Sequence, residues 1–240
     1  MPLPDRDFDV TEVAVPWKLL TEAGHRVVFL TESGATPACD PKLLTGVLFG
    51  QLGADPEPKK FYAEMEATQE FRAPKTWSRL DTGADALLLA GGHAPGMRQY
   101  LGSAELQSKV ADWFLSGKPV AAICHGVLLA ARAKDASGRS VLYEKRTTSL
   151  TKPQERTAYF ITAWKLGKYY RTYPEYVEDE VKQLLRDPVK QYSRGPLALT
   201  KRGTREDDRP AYVVEDGNYL SARWPGDAYL LAKKLLAKLQ

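Results

Sequence analysis

The chain has 240 residues, 43% of them hydrophobic, with 34 basic and 30 acidic side chains giving a net charge of +4. That is enough apolar material for a sizeable core and suits one domain with insertions over residues 1–240 better than two full domains. The weak positive balance leaves no footprint for nucleic acid, and a cysteine content of only Cys39 and Cys124 excludes a disulfide scaffold and fits a reducing compartment.

The N-terminal residues, Met1-Pro2-Leu3-Pro4-Asp5-Arg6-Asp7, turn polar at once and do not read as a signal peptide. No apolar run has the length a bilayer span needs, so a cytoplasmic protein with no membrane partner is expected. Asp9-Val10-Thr11-Glu12 resembles a capping box opening a helix whose apolar face is Val10, Val13, Trp17 and Leu20, with Gly24 ending it. A doubly wound order needs a strand before that helix. Only Met1 to Pro4 is available, with prolines at 2 and 4, so this strand must be very short or partly lost.

His25 to Leu30 reads as the next strand. Residues 33–81 hold Gly, Pro and charge, with one helix at Lys59 to Phe71, and read as an insertion over one end of the sheet. Ala84 to Ala90 is a strand broken by Gly91-Gly92. Ser103 caps a helix whose Leu106, Val110, Trp113 and Phe114 share a face. Val120 to Ile123, after Gly117-Lys118-Pro119, is a short buried strand, and an Ala/Leu-rich helix follows Gly126.

Residues 133–150 read as a β-rich connection, followed by helices at Glu155 to Leu166 and Glu175 to Arg186. Residues 187–209 form a loop in which Lys201, Arg202 and Arg205 are answered by Glu206, Asp207 and Asp208, the pattern of a solvated segment. Ala211–Glu215 and Tyr219–Arg223 make a hairpin around Asp216-Gly217-Asn218. Pro225 starts the last helix, with Ala228, Leu231, Leu235 and Leu239 on its buried face. The faces carrying Trp113 and Trp164 could be core or interface. The alternation predicts an α/β fold, a mostly parallel sheet sandwiched by helices, with inserted segments at about 33–81 and 150–209.

Cys124 sits on the turn between a buried strand and a helix start. There a helix N-terminus favours thiolate over thiol and His125 follows directly, which is how a cysteine nucleophile is made. The alternative is a buried core cysteine. At the end of another strand, the glycines of Gly91-Gly92-His93-Ala94-Pro95-Gly96 let backbone N–H groups approach a ligand. With the His125 amide they could form an oxyanion hole.

Glu12 is either the acid of a capping box or a carboxyl held apart by its helix. Pro16, four residues on, has no N–H for the Glu12 carbonyl and should kink the helix. No phosphate loop and no serine elbow occurs, and His25, His93 and His125 lack metal-site spacing. The run Tyr169-Tyr170-Arg171-Thr172-Tyr173 reads as packing or a pocket wall rather than a base-stacking platform.

Taken together, Glu12-Val13-Ala14-Val15-Pro16, Gly91-Gly92-His93 and Ala122-Ile123-Cys124-His125-Gly126 resemble the ThiJ/PfpI superfamily. The hairpin and Ser221-Ala222-Arg223-Trp224-Pro225-Gly226 match the same family. The insertions resemble its stress-chaperone and glyoxalase III branch. The resemblance implies a class I glutamine-amidotransferase-like, flavodoxin-like fold. It implies Cys124 as nucleophile in a strained backbone, Glu12 sharing a proton with it, His125 as adjacent base and Gly92 as oxyanion donor. It also implies a homodimer.

A third acid orienting the histidine is expected in some branches, with Glu155 the nearest by order. The function so implied is conversion of small reactive carbonyls such as methylglyoxal, with no cofactor and no metal, in a pocket that the insertions roof and make small. The alternatives are a cysteine hydrolase or amidase, and a chaperone or redox sensor with an oxidisable Cys124.

Overall fold

The computed structural model describes residues 1–47, 52–81, 83–171, 173–198 and 200–240. Thr172 of the aromatic run and part of each predicted insertion lie outside the described residues.

The strands are β1 (Arg6–Phe8), β2 (Leu30–Thr31), β3 (Ala38–Cys39), β4 (Lys75–Thr76), β5 (Leu87–Leu89), β6 (Val120–Ile123), β7 (Val213–Asp216) and β8 (Tyr219–Ala222). A four-stranded sheet in the order β5-β6-β8-β7 is parallel except for the β7–β8 hairpin. Two short parallel pairs, β1 with β3 and β2 with β4, stand beside it. All residues of β6 are buried, because it has a neighbour on either edge and helices on both faces.

The helices are α1 (Val10–Glu22), α2 (Pro41–Thr45), α3 (Pro56–Glu66), α4 (Gln69–Arg72), α5 (Met97–Gly102), α6 (Ala104–Leu115), α7 (His125–Arg132), α8 (Lys152–Leu166), α9 (Val177–Gln183), α10 (Pro188–Gln191) and α11 (Ala228–Lys238). One set packs α1 against α3 and α11. The other packs α7 against α5, α6 and α9, and α11 and α7 both meet β6. This is the helix-sandwiched α/β fold expected from the alternation.

Several elements are shorter than their sequence patterns. The strand predicted from His25 starts only at Leu30, although the Val28 and Phe29 carbonyls still accept from Met1 and Lys75. The first strand is short, as expected, but interrupted. Met1 and Leu3 bond to Leu30, Asp7 takes a φ of 76°, and Arg6 and Phe8 pair with Ala38 and Cys39. The helix predicted over Lys59 to Phe71 is two, α3 and α4, separated where Thr68 caps the second. Residues 133–150 hold turns and isolated bridges rather than strands, because Lys134 pairs with Ser140 and Thr147 with Tyr192 alone. Ser103 caps α6 through the Leu106 N–H, as its sequence suggested. Trp113 is core, whereas Trp164 is 74% exposed.

Candidate active site

β6 ends at Ile123 and α7 begins at His125, leaving Cys124 to make the whole turn. It does so at φ 57°, ψ −123°, a left-handed conformation that costs a side-chain-bearing residue about 1–3 kcal/mol. The turn is held from both sides: the Cys124 N–H donates to the Ala222 carbonyl of β8, and Val127 N–H to the Cys124 carbonyl. Gly126 lets α7 lie against β5, since a Cβ there would stand 2.1 Å from the Leu89 carbonyl oxygen.

Glu12 reaches this turn from α1. Asp9 caps the helix, accepting from Thr11 and Glu12 N–H at 2.8 and 3.1 Å. Glu12 does not return the bond, so the capping-box reading is corrected. Its Oε2 instead accepts the Gly91 N–H at 2.8 Å, and the Asp9 N–H donates to the Gly91 carbonyl at 2.9 Å. Gly91 has to be glycine: an added Cβ would lie 2.7 Å from the His125 nitrogen, 2.8 Å from Glu12 Oε2 and 2.9 Å from Cys124 Cβ.

Glu12 is fully buried, and its Oε1 has no hydrogen-bond partner among the described residues. The carboxyl and the Cys124 thiol are close enough for each to shift the other's proton affinity. Burial, then the nearby Asp9 charge, holds Glu12 well above the usual carboxylate range. Burial, then the Glu12 charge, also pushes the Cys124 thiol up, against the pull of the His125 backbone N–H. The thiolate preference expected from the helix N-terminus is therefore overridden by desolvation.

His125 Nδ1 lies 3.5 Å from Cys124 Sγ. Burial, together with the His93 and Arg132 charges, drives its imidazole well below its ordinary value. The His93 ring stands edge-on to His125 at 4.7 Å, and burial brings it down to about 4. The ligand atoms of His93, Cys124 and His125 lie within 4.8 Å of one another, compact enough to hold a metal ion. The fold thus assembles a donor set that spacing along the chain does not show.

Glu155 is not part of this group. It is buried under α9, accepting the Val177 N–H at 3.0 Å and facing Arg171 at 3.4 Å, and burial raises it to about 7.

Cys124, Glu12, Gly92 and His93 floor a pocket of about 560 Å³. Residues 33–81 supply Leu43, Gly53 and Asp55, and residues 150–209 supply Leu150, Gln154, Ala158, Ile161, Tyr170 and Arg202, with Trp224 closing the side. The pocket is not the small one expected: its space is of the size that takes ligands far larger than methylglyoxal. Tyr170 is a pocket wall, as its run suggested, and it and Tyr169 donate to Asp40 at 3.0 and 3.2 Å. Arg202 is a residue the sequence reading missed. It is not solvated: its side chain is 19% exposed, Nη2 donates to the Gly53 carbonyl, and its guanidinium lies 5.7 Å from the Trp224 ring. Nothing in its local pattern could have shown this, because the carbonyl it bonds lies 149 residues away along the chain.

A parallel sheet with a strained cysteine elbow at the carboxyl end of β6, answered by a buried glutamate from the first helix, defines a class of α/β protein built around one thiol. The chain belongs to the ThiJ/PfpI family: the model described as "ThiJ/PfpI family-like" matches residues 3–196. An uncharacterised protein of Schizosaccharomyces pombe is 28% identical over 242 residues, 97% of this chain and 80% of its own length. The glutathione-independent glyoxalase hsp3102 of the same yeast is 27% identical over 150 residues, 60% of each chain. The solved structure of glyoxalase III from Candida albicans superposes with a TM-score of 0.69 at 18% identity, covering 96% of this chain and 87% of that one.

Proposed function

We propose that the protein is a cysteine-dependent enzyme that converts α-oxo aldehydes to 2-hydroxy acids without glutathione. The observation that carries this reading is the placement of one buried carboxyl, Glu12, against the Cys124 thiol at the floor of a roofed pocket. The similarity to proteins described as glyoxalases supports it.

Sγ adds to the aldehyde carbon, and its proton passes to the carbonyl oxygen to give a hemithioacetal. The proton on that carbon is then moved to the neighbouring carbonyl carbon through an enediol, leaving a thioester. Water cleaves the thioester, restoring the thiol, and the net change is addition of one water to the aldehyde.

Glu12 is the better proton carrier of the two neighbours. Burial raises its carboxyl, so it can hold a proton beside the thiol, whereas the depressed imidazole of His125 is a weak base. Gly92 and the His125 backbone are the donors assigned to the developing oxyanion. A cysteine hydrolase would need His125 to take the thiol proton and return it to a leaving group. Its depressed proton affinity, and the engagement of Glu155 with Val177 and Arg171 instead, speak against that alternative.

The test is incubation of the protein and of Cys124→Ala with methylglyoxal, without glutathione, followed by a lactate assay. Lactate that depends on Cys124 is expected. Lactate from neither protein would remove the aldehyde reading and leave the fold untouched. The protein acts on a small molecule, without nucleic acid, membrane or cofactor, and as a homodimer; size-exclusion with light scattering tests the last.

A further inference from the structure

The side-chain donors around the chamber above Cys124 are mostly spent. Gln154 Nε2 and Thr157 Oγ1 donate to the Ala198 and Pro153 carbonyls, and Arg202 Nη2 to the Gly53 carbonyl. Arg202 Nη1 and Trp224 Nε1 are sealed from the space altogether. Two carboxylates are placed differently. Asp9, 8% exposed, gives Oδ1 to the Thr11 and Glu12 N–H groups. Its Oδ2 accepts from none of the described residues and, unlike the sealed donors, keeps surface toward the chamber. Asp55 starts α3 without capping it, and its side chain is 59% exposed at the chamber's edge.

Charge points the same way. Among the described residues that line the chamber, Arg202 is the one permanent cation, and it stands against both acids. It is 3.7 Å from Asp55, beyond hydrogen-bond distance, and near enough to Asp9 to draw its proton affinity down. Burial, opposed by the N–H groups of α1 and by Arg202, raises Asp9 only to about 6, so it is ionised at neutral pH. Glu12 keeps its proton, and His93 is neutral. Two carboxylates against one guanidinium leave one negative charge in a chamber of about 560 Å³.

We infer that this chamber selects α-oxo aldehydes carrying a positively charged nitrogen, which sits against Asp9 Oδ2 and is drawn in past Asp55. The inference rests on the aldehyde reading above for the reacting end alone; recognition of the cation needs no chemistry at Cys124. An anionic tail would meet two carboxylates with the guanidinium donors turned away from it. An uncharged tail would displace water from Oδ2 and put nothing in its place.

Two measurements test it. The first compares kcat/KM for a series of α-oxo aldehydes ending in trimethylammonium with their tert-butyl isosteres of equal length, which differ in charge and hardly in shape. A cation preference of about tenfold is expected at the best chain length. Asp9→Asn, whose side-chain oxygen still caps α1, should bring it to near unity. Asp55→Asn should lower it by about twofold, because that carboxylate is exposed. Arg202→Gln should raise it by about threefold, since it removes the competing cation. Because each figure is a ratio within one preparation, a variant that folds poorly or turns over slowly does not disturb it.

The second uses unreactive alkyltrimethylammonium ions, which should slow alkylation of Cys124 by iodoacetamide in the wild type and not in Asp9→Asn. The tert-butyl alcohols of the same lengths should protect less. A ratio near unity for aldehydes that are consumed overturns the assignment, and so does a ratio that falls in Arg202→Gln. Protection that is absent from the wild type, matched by the alcohols or retained in Asp9→Asn overturns it as well. If no aldehyde is consumed while protection depends on Asp9, the aldehyde reading fails and the chamber assignment stands.

Discussion

The floor and the roof of the pocket are built on opposite principles. In α7, every residue from His125 to Ala131 is buried, and the helix is pinned by a glycine against β5. In α8, only Gln154, Glu155 and Thr162 are buried, all polar, while Phe160 and Trp164 face outward at 61% and 74% exposure. The floor is thus fixed by hydrocarbon packing that tolerates almost no displacement. The roof hangs on single hydrogen bonds, such as Gln154 Nε2 to the Ala198 carbonyl at 2.9 Å, and on the Glu155–Arg171 pair. A reacting group needs the first kind of support. A pocket wall can be made from the second.

The contrast is broken most severely at the floor. Glu12→Gln keeps the shape and one acceptor for the Gly91 N–H but cannot carry the proton, and kcat should fall about 10²–10⁴-fold. His125→Asn should cost about tenfold, because the imidazole it removes is already a poor base. Steady-state kinetics on the two variants checks the order, and equal losses would remove Glu12 from its assigned role. Next in size, Gly126→Ala drives a Cβ into the Leu89 carbonyl oxygen and should destabilise by about 3 kcal/mol or prevent folding, read from urea unfolding.

The roof yields subtler effects. Glu155 is raised from 4.5 to about 7, first by burial, opposed by the Val177 N–H and Arg171. Below pH 4.5 it is protonated whether folded or unfolded, and its site is at full stability. As the pH rises through about 7, the folded state must give up a proton it binds more tightly than the unfolded chain does, and stability is lost. Glu155→Gln stays neutral, so its stability relative to wild type should climb by up to about 3 kcal/mol across that window. Urea midpoints at a series of pH values measure this, and parallel curves would contradict it. Smallest of all, Gln154→Ala should cost about 1 kcal/mol through the lost bonds to Ala198 and Thr151, with little change in kcat.

This division also separates what could be read in the sequence from what could not. The elbow was legible because its causes are local: an apolar run, a cysteine, a histidine and a glycine in unbroken order. The hairpin and the Ser103 cap were legible for the same reason. Glu12 was half legible. Asp9-Val10-Thr11-Glu12 does open a helix, but whether the fourth residue turns back to its cap or across to Gly91 depends on where β5 ends, which no local pattern states. The β-rich reading of residues 133–150 failed because Val141, Leu142 and Tyr143 look like a strand yet find no partner strand, and turn instead. Arg202 was read by its charged neighbours, whereas its position is set by Gly53 and Trp224, far away along the chain.

The exchange between α1 and the end of β5, in which Asp9 N–H donates to Gly91 and Gly91 N–H donates to Glu12, has a consequence for dynamics. The amide proton of Gly91 can meet solvent deuterium only when the Glu12 carboxyl has let go. Its exchange rate is therefore a clock for the dyad, read without substrate and without touching the sulfur. If that amide exchanges as slowly as those of β6, the carboxyl separates only when the whole sheet opens; if faster, α1 breathes alone and the thiol is intermittently left without its partner.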